Sequence, residues 1–327
     1  MKPSLPKFAV KALLLLTVCF SLLSKSNAQG FIFGNEKIKW EVGLNFGPSF
    51  FLGDLGGHAG KGTNDLKDLN LNFTKLMKGA YLTMYPNKWL GLRLNLSSTF
   101  LEGDDATIKT TGINELWRKQ RNLDFRTTVL EANGCLELYP TMMFNSDPEN
   151  EPRLRPYGLI GAGVYHFNPQ GSLKAANGDK IWYDLHPLRT EGEGMAEYPN
   201  SKPYNLTQLN VLYGGGLKYF VSDRVNIGME LLYRKTFTDY IDGTSTTYID
   251  KNLFDKYLTP SMAAVAKRMY DKSNNGAGGA PGYGLPGEKR GDPTQKDGYY
   301  TFGFKLGIRL GTSDSFRNST RCPVIRF

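Results

Sequence analysis

Residues 299–310 read YYTFGFKLGIRL, and no other stretch limits the fold of this chain as tightly. Tyr300, Phe302, Phe304, Leu306, Ile308 and Leu310 fall on one face. Tyr299, Thr301, Gly303, Lys305, Gly307 and Arg309 fall on the other. Alternation of this kind is the period of a β-strand, whose successive side chains point to opposite sides. Strands in soluble sheets are commonly about 5–6 residues long. A strand that crosses a bilayer needs about 9–11 residues of such alternation, and this one supplies them.

The pattern recurs along the chain. Trp40, Val42, Leu44, Phe46, Phe50 and Leu52 alternate with Glu41, Gly43, Asn45, Gly47 and Ser49. Leu76, Ala80, Leu82 and Met84 form a second set, and Leu90, Leu92, Leu94, Leu96 and Phe100 a third. Leu130, Ala132, Leu136 and Leu138 oppose Glu131, Asn133, Cys135 and Glu137. The glycine-rich segment 155–168 is less regular, with Tyr157, Leu159, Tyr165 and Phe167 on one face and His166 on the polar face. Leu209–Tyr219 and Val225–Tyr233 complete the series with the closing strand, giving eight. Tight turns at 85–89 and 220–224 and a moderate one at 140–155 alternate with long polar segments at about 53–70, 103–122, 169–205 and 241–297. Short periplasmic turns opposite long external loops are the pattern of an outer-membrane barrel. The expectation is therefore an all-β fold, an eight-stranded antiparallel transmembrane β-barrel with long external loops. A secreted β-sandwich is the alternative, but its strands would be shorter. Its aromatic residues would also not gather at strand ends, as Trp40, Tyr85, Trp89, Tyr139, Tyr157, Tyr219 and Phe220 do in a predicted periplasmic girdle.

The first 28 residues fit this compartment. Lys2, Lys7 and Lys11 precede the apolar run 12–20, and Ser26-Asn27-Ala28 offers a cleavage site, so 1–28 reads as a secretory signal. A lipoprotein reading through Cys19 is weaker, because Val18 stands where a small residue is needed. With Lys2, Lys7, Lys11 and Lys25 removed, the formal +9 falls to +5, too mild a bias to indicate nucleic acid. A mean hydropathy of −0.39 does not count against a barrel, in which only alternate residues meet lipid. Residues 29–310 then form the barrel, and 311–327 a periplasmic tail.

An eight-stranded barrel is filled by its own side chains rather than open. The polar faces supply Glu41, Arg93, Glu131, Glu137, Lys218, Glu230, Arg234, Lys305 and Arg309. Buried charges persist when paired, so an internal ion-pair network is expected in place of a catalytic carboxylate pair. None of His58, His166 and His186 lies in a recognisable nucleophile motif, so no enzyme activity is expected. No metal and no cofactor are expected either. Asp239, Asp242 and Asp250 around Thr244–Thr247 could ligate calcium, but local turn hydrogen bonds account for the same residues. Thr259-Pro260 predicts a helix over 261–270, and 276–293 reads as a mobile Gly/Pro-rich stretch. Cys135, inward and toward the periplasm, and Cys322 on the tail could bridge; a buried thiol and a free tail thiol are the competing reading.

The segment FTDYIDGTSTTYID at 237–250 carries Asp239, Tyr240, Asp242, Ser245, Thr246, Thr247, Tyr248 and Asp250. With the closing strand, the tail Cys322–Phe327 and the early segment Gly47–Leu55, it resembles a Bacteroidota family of outer-membrane barrels that includes PorG of the type IX secretion system. The resemblance implies a scaffold that anchors the periplasmic PorK/PorN ring. The alternatives are a stand-alone structural or adhesive barrel and a lipid-modifying enzyme. Gly243 departs from the family pattern, which has an acidic residue there, and the tail carries an extra Val-Ile.

Overall fold

Period-two alternation sets the face of each residue, and hydrogen-bond register turns the separate strands into one wall. The computed structural model describes residues 38–55, 74–108, 113–145, 151–273 and 284–310. Eight long strands form the wall: β1 (Lys39–Leu52), β2 (Lys75–Tyr85), β3 (Leu90–Asp104), β4 (Asp124–Leu138), β5 (Leu154–His166), β8 (Thr207–Phe220), β9 (Val225–Thr236) and β10 (Gly298–Leu310). A short hairpin, β6 (Gln170–Lys174) with β7 (Lys180–Asp184), extends from β4. The strands are antiparallel neighbours in the order β3-β2-β1-β10-β9-β8-β5-β4, and β3 pairs with β4. That pairing closes the barrel and leaves no free edge. First and last strands meet with Phe46 opposite Phe304 and Trp40 opposite Leu310.

The outer surface is apolar. Leu96 is 66% exposed, Leu94 65%, Leu209 59% and Ile160 54%, and similar residues continue around all eight strands. Soluble monomers rarely expose contiguous apolar patches beyond a few hundred Å². This band is therefore the lipid-facing belt of a transmembrane β-barrel. Among the described residues no helix is long and apolar enough to cross a membrane, so the crossing is made by strands.

At one end the connections are short: 86–89, 221–224, and 139–153 with helix α2 (Pro140–Met143). At the other they are long, and their described parts are folded. Helix α1 (Ile113–Arg121) sits between β3 and β4, and α3 (Leu253–Tyr257) and α4 (Pro260–Tyr270) between β9 and β10. Thr259 takes the N-cap position of α4 with extended backbone, but its side chain makes no capping bond to the helix. Leu185, Met195, Tyr248, Phe254, Met269 and Tyr270 form a core of their own in this cap. Beneath it Leu55, Phe125, Phe167, Ile241 and Tyr299 fill the barrel mouth. Each such side chain contributes about 1.5–3 kcal/mol of burial, which explains why polar-looking loops fold. Residues 284–293, expected to be mobile, are tied in through Arg290, whose side chain is buried.

Three expectations about faces are corrected. Tyr157, Leu159, Tyr165 and Phe167 point into the barrel, and His166 points outward. The girdle also dissolves in part: Trp40 and Tyr219 are exposed, whereas Tyr85, Tyr139, Tyr157 and Phe220 are buried. Leu52 is also turned inward, as alternation gives way at the end of β1. Inward glycines make the room. A Cβ on Gly43 would lie 2.4 Å from the Tyr81 ring, and one on Gly216 2.7 Å from Tyr157.

Candidate functional site

The short-turn half of the lumen holds three acids and three bases. Arg93 bridges Glu137 and Glu230, the latter at 2.7 Å. Lys218 binds Glu41 at 2.9 Å, and Lys305 lies 3.4 Å from Glu230 and 3.8 Å from Glu137. The inward tyrosines complete the shell: Tyr81 and Tyr85 donate to Glu41, Tyr139 to Glu137, and Tyr157 to Glu230 at 2.6 Å. Nearer the long-loop end, Arg234 binds Glu131 at 2.6 Å and Thr301 at 2.7 Å, while Asn210 donates to Glu131. Eight of the nine charges singled out in the sequence thus meet inside the barrel in two neutral groups. The ninth, Arg309, sits apart at the short-turn mouth, its guanidinium 3.9 Å from the Phe220 ring centroid. In a lumen so filled, each of these acids already has its partners.

The segment 237–250 forms the second centre. Asp239 accepts from Ser245 Oγ at 2.7 Å, and Asp242 from the Thr244 amide at 2.9 Å. Asp250 accepts from the Asn252 amide at 2.9 Å. These are the local turn bonds that such residues favour. Other partners come from distant chain. Glu191 receives the Ser245 and Thr246 amides at 2.9 and 2.8 Å, the Thr246 hydroxyl at 2.8 Å and Arg290 at 2.7 Å. Thr247 bridges Lys289, Tyr248 is fully buried, and Tyr240 stacks on Tyr204 at 4.3 Å. Arg121 donates to Asp105, to the Asp54 carbonyl at 2.7 Å and to the Arg290 carbonyl at 2.5 Å. Residues of all four long loops therefore meet around this segment.

Asp54, Asp239, Asp242 and Asp297 lie close enough there to shift one another. Burial, reinforced by Asp54, pushes Asp239 up to about 8. Burial and the neighbouring aspartates also raise Asp242 and Asp297 well above the usual carboxylate range. Protonation relieves such crowding without a cation. Among the described residues no group of three or more His, Cys, Asp or Glu is arranged to hold a metal ion. Gly243 has φ of +75°, and a Cβ there would lie 2.4 Å from Leu185 Cδ1, so an acidic side chain does not fit this cap.

Sequence reading missed Glu191, Arg290 and Asp297 as partners of this segment, and Asp54 and Arg121 beside it. Only the early segment ending in Asp54-Leu55 gave a signal. Of the histidines, His166 bonds Thr207 Oγ1 at 3.0 Å and His186 the Tyr204 carbonyl at 3.0 Å. His58 lies outside the described residues, as do 1–28 and the tail with Cys322. Cys135 is buried with a free thiol whose Sγ lies 3.3 Å from Asn133 Oδ1.

No family model matches this chain, and no curated protein matches it. Among solved structures it is similar to the attachment invasion locus protein Ail of Yersinia pestis, at 9% identity over 84% of this chain and 100% of that one, with a TM-score of 0.36. It is also similar to Neisserial surface protein A, at 9% identity over 84% and 100% with a TM-score of 0.35. The outer membrane protein OprG from Pseudomonas aeruginosa is 13% identical over 84% and 96%, with a TM-score of 0.34. Likeness at this level is one of general architecture; strand number and closure rest on the pairing above.

Proposed function

We propose that the chain is a non-enzymatic outer-membrane scaffold of the PorG type, serving type IX protein secretion. In this reading the long loops are external, and the short turns and residues 311–327 face the periplasm. The observation that carries it is the segment 237–250. Residues on which the family resemblance rests join the first, third and last long loops to one another. A scaffold role also suits a lumen closed by its own ion pairs.

The short-turn mouth supplies a surface for a periplasmic partner. Lys39, Lys88, Arg155 and Arg309 line it against one acid, Glu151. Glu151 pairs with Arg155 at 2.7 Å and Lys88 at 3.5 Å, and Arg309 makes no ion pair among the described residues. An acidic face of a PorK/PorN-type ring protein would complement this surplus. The folded cap favours a second reading, a stand-alone structural barrel that presents its loops for adhesion.

Pull-down from detergent-solubilised membranes, with partners identified by mass spectrometry, separates the two. A scaffold brings down periplasmic ring proteins, loses them in Arg155→Glu with Arg309→Glu, and traps secreted cargo when deleted. A weakened envelope with normal secretion overturns the secretion reading.

A further inference from the structure

The cap contains a cavity of about 420 Å³, separate from the lumen and from the aspartate cluster. That size lies within the roughly 300–1,000 Å³ of small-molecule sites. Its polar lining includes Glu193, Arg189 and His186, and its apolar wall includes Tyr257, Leu258 and Met262. We propose that this cavity binds a neutral saccharide, as a mono- or disaccharide unit, on the long-loop face of the barrel.

Glu193 is the anchor. It stands between Gly192 and Gly194, both at φ of +74°, a conformation that turns the chain sharply and directs the carboxyl inward. The side chain is 4% exposed. The backbone amides of Glu191 and of Glu193 itself lie against the carboxyl, the former donating to Oε2 at 3.0 Å. A carboxylate offers about four acceptor sites, so capacity remains for a donor in the cavity.

Arg189 and His186 have spare capacity as well. Arg189 is a non-glycine residue in the left-handed region, φ 50° and ψ 48°, and makes no ion pair among the described residues. His186 Nε2 lies 3.0 Å from the Tyr204 carbonyl, which can only accept, so Nε2 carries the hydrogen. Nδ1 of the neutral ring then remains an acceptor. The apolar wall is fixed too, because the Tyr257 hydroxyl donates to Glu197 at 2.7 Å and accepts the Ala196 amide at 2.9 Å.

This inventory selects the ligand. A bare anion would meet Glu193, and a bare cation would meet Arg189. A neutral sugar satisfies all three polar groups, since each hydroxyl both donates and accepts. Its C–H face packs on Tyr257 and Leu258. Pro187, Pro203 and Thr259 at the rim are exposed, so the cavity is reached without unfolding the cap. This site is independent of the secretion role.

The test is saturation-transfer NMR on the full chain in lauryldimethylamine oxide micelles, because maltoside and glucoside detergents are themselves saccharides. The probes are methyl hexopyranosides, maltose and lactose, with glucosamine and a sulfated hexose as charged controls. Neutral sugars should receive saturation at millimolar concentration. At about pH 8.5, where the Glu193 carboxyl is charged, Glu193→Gln should weaken binding about tenfold or more, the loss expected for a hydrogen bond to a charged group. Arg189→Gly keeps the fold testable, since glycine accepts the left-handed backbone while the guanidinium is lost, and it should weaken binding similarly. Absence of transfer to every neutral sugar, binding of the charged probes alone, or unchanged affinity in both variants overturns the assignment.

Discussion

The backbone amide of Leu55 donates to Asp242 Oδ2 at 3.2 Å, across 187 positions of chain. Leu55 ends the early segment Gly47–Leu55, and Asp242 lies in 237–250, so the two segments that resemble one family also touch. Their bond anchors the first long loop to the last.

Asp242→Ala should therefore loosen two loops at once. It strands the amides of Leu55 and Thr244, each buried group costing about 1–3 kcal/mol. Asp242→Asn keeps an acceptor oxygen and should be milder. Limited proteolysis of the cap in intact membranes reads the difference, with faster cleavage expected for alanine than for asparagine. Equal resistance in both variants would show that this bond does not hold the loops.

The lipid-facing belt predicts an asymmetry between the outer and inner faces of the wall. Leu306 points outward and is 45% exposed, while Ser97 points inward near Glu131. Leu306→Arg should cost about 2–4 kcal/mol if it lies at the bilayer midplane, and Ser97→Ala much less. Heat-modifiability on gels measures the folded fraction. Similar effects from the two changes would contradict the register.

In the lumen, Arg93 pairs with both Glu137 and Glu230. Arg93→Met leaves buried carboxylates short of a partner, a loss of about 3–5 kcal/mol. The urea midpoint for unfolding in micelles should fall accordingly, and the wild-type barrel should show no steady conductance in planar bilayers. A stable open channel would overturn the closed lumen.

The pH dependence of the cap follows from two carboxyls. Burial, reinforced by the charge of Glu191, pushes Glu193 up to about 7 from its ordinary 4.5, and Asp239 stands at about 8 from 3.8. Each binds more protons folded than unfolded, so its contribution is complete below the ordinary value and is lost as pH rises through the raised one. For Glu193 the loss is on the order of 3 kcal/mol between these limits. Thermal melting of the cap, followed by near-ultraviolet circular dichroism, should shift down between about pH 5 and about pH 8.5, a range that spans most of the Glu193 window. Glu193→Gln should flatten part of the slope. A melting temperature that rises with pH would refute it.

The eight strands and the inward charges could be read from the sequence because period two is a local property. Glu41 is inward because Trp40 and Val42 are outward, and no distant residue is needed to know it. The faces of Tyr157 and Tyr165 are different: they depend on volume left by glycines such as Gly216 on a strand about sixty positions away. Glu191 gave no signal at all, since its meaning comes from Ser245, Thr246 and Arg290, which only folding brings to it. Alternation in the sequence determined the barrel and its charged lining. Closure of the loops onto one segment, and the cavity beside Glu193, were decided by tertiary packing, because hydrogen bonds across such separations leave no period in the chain.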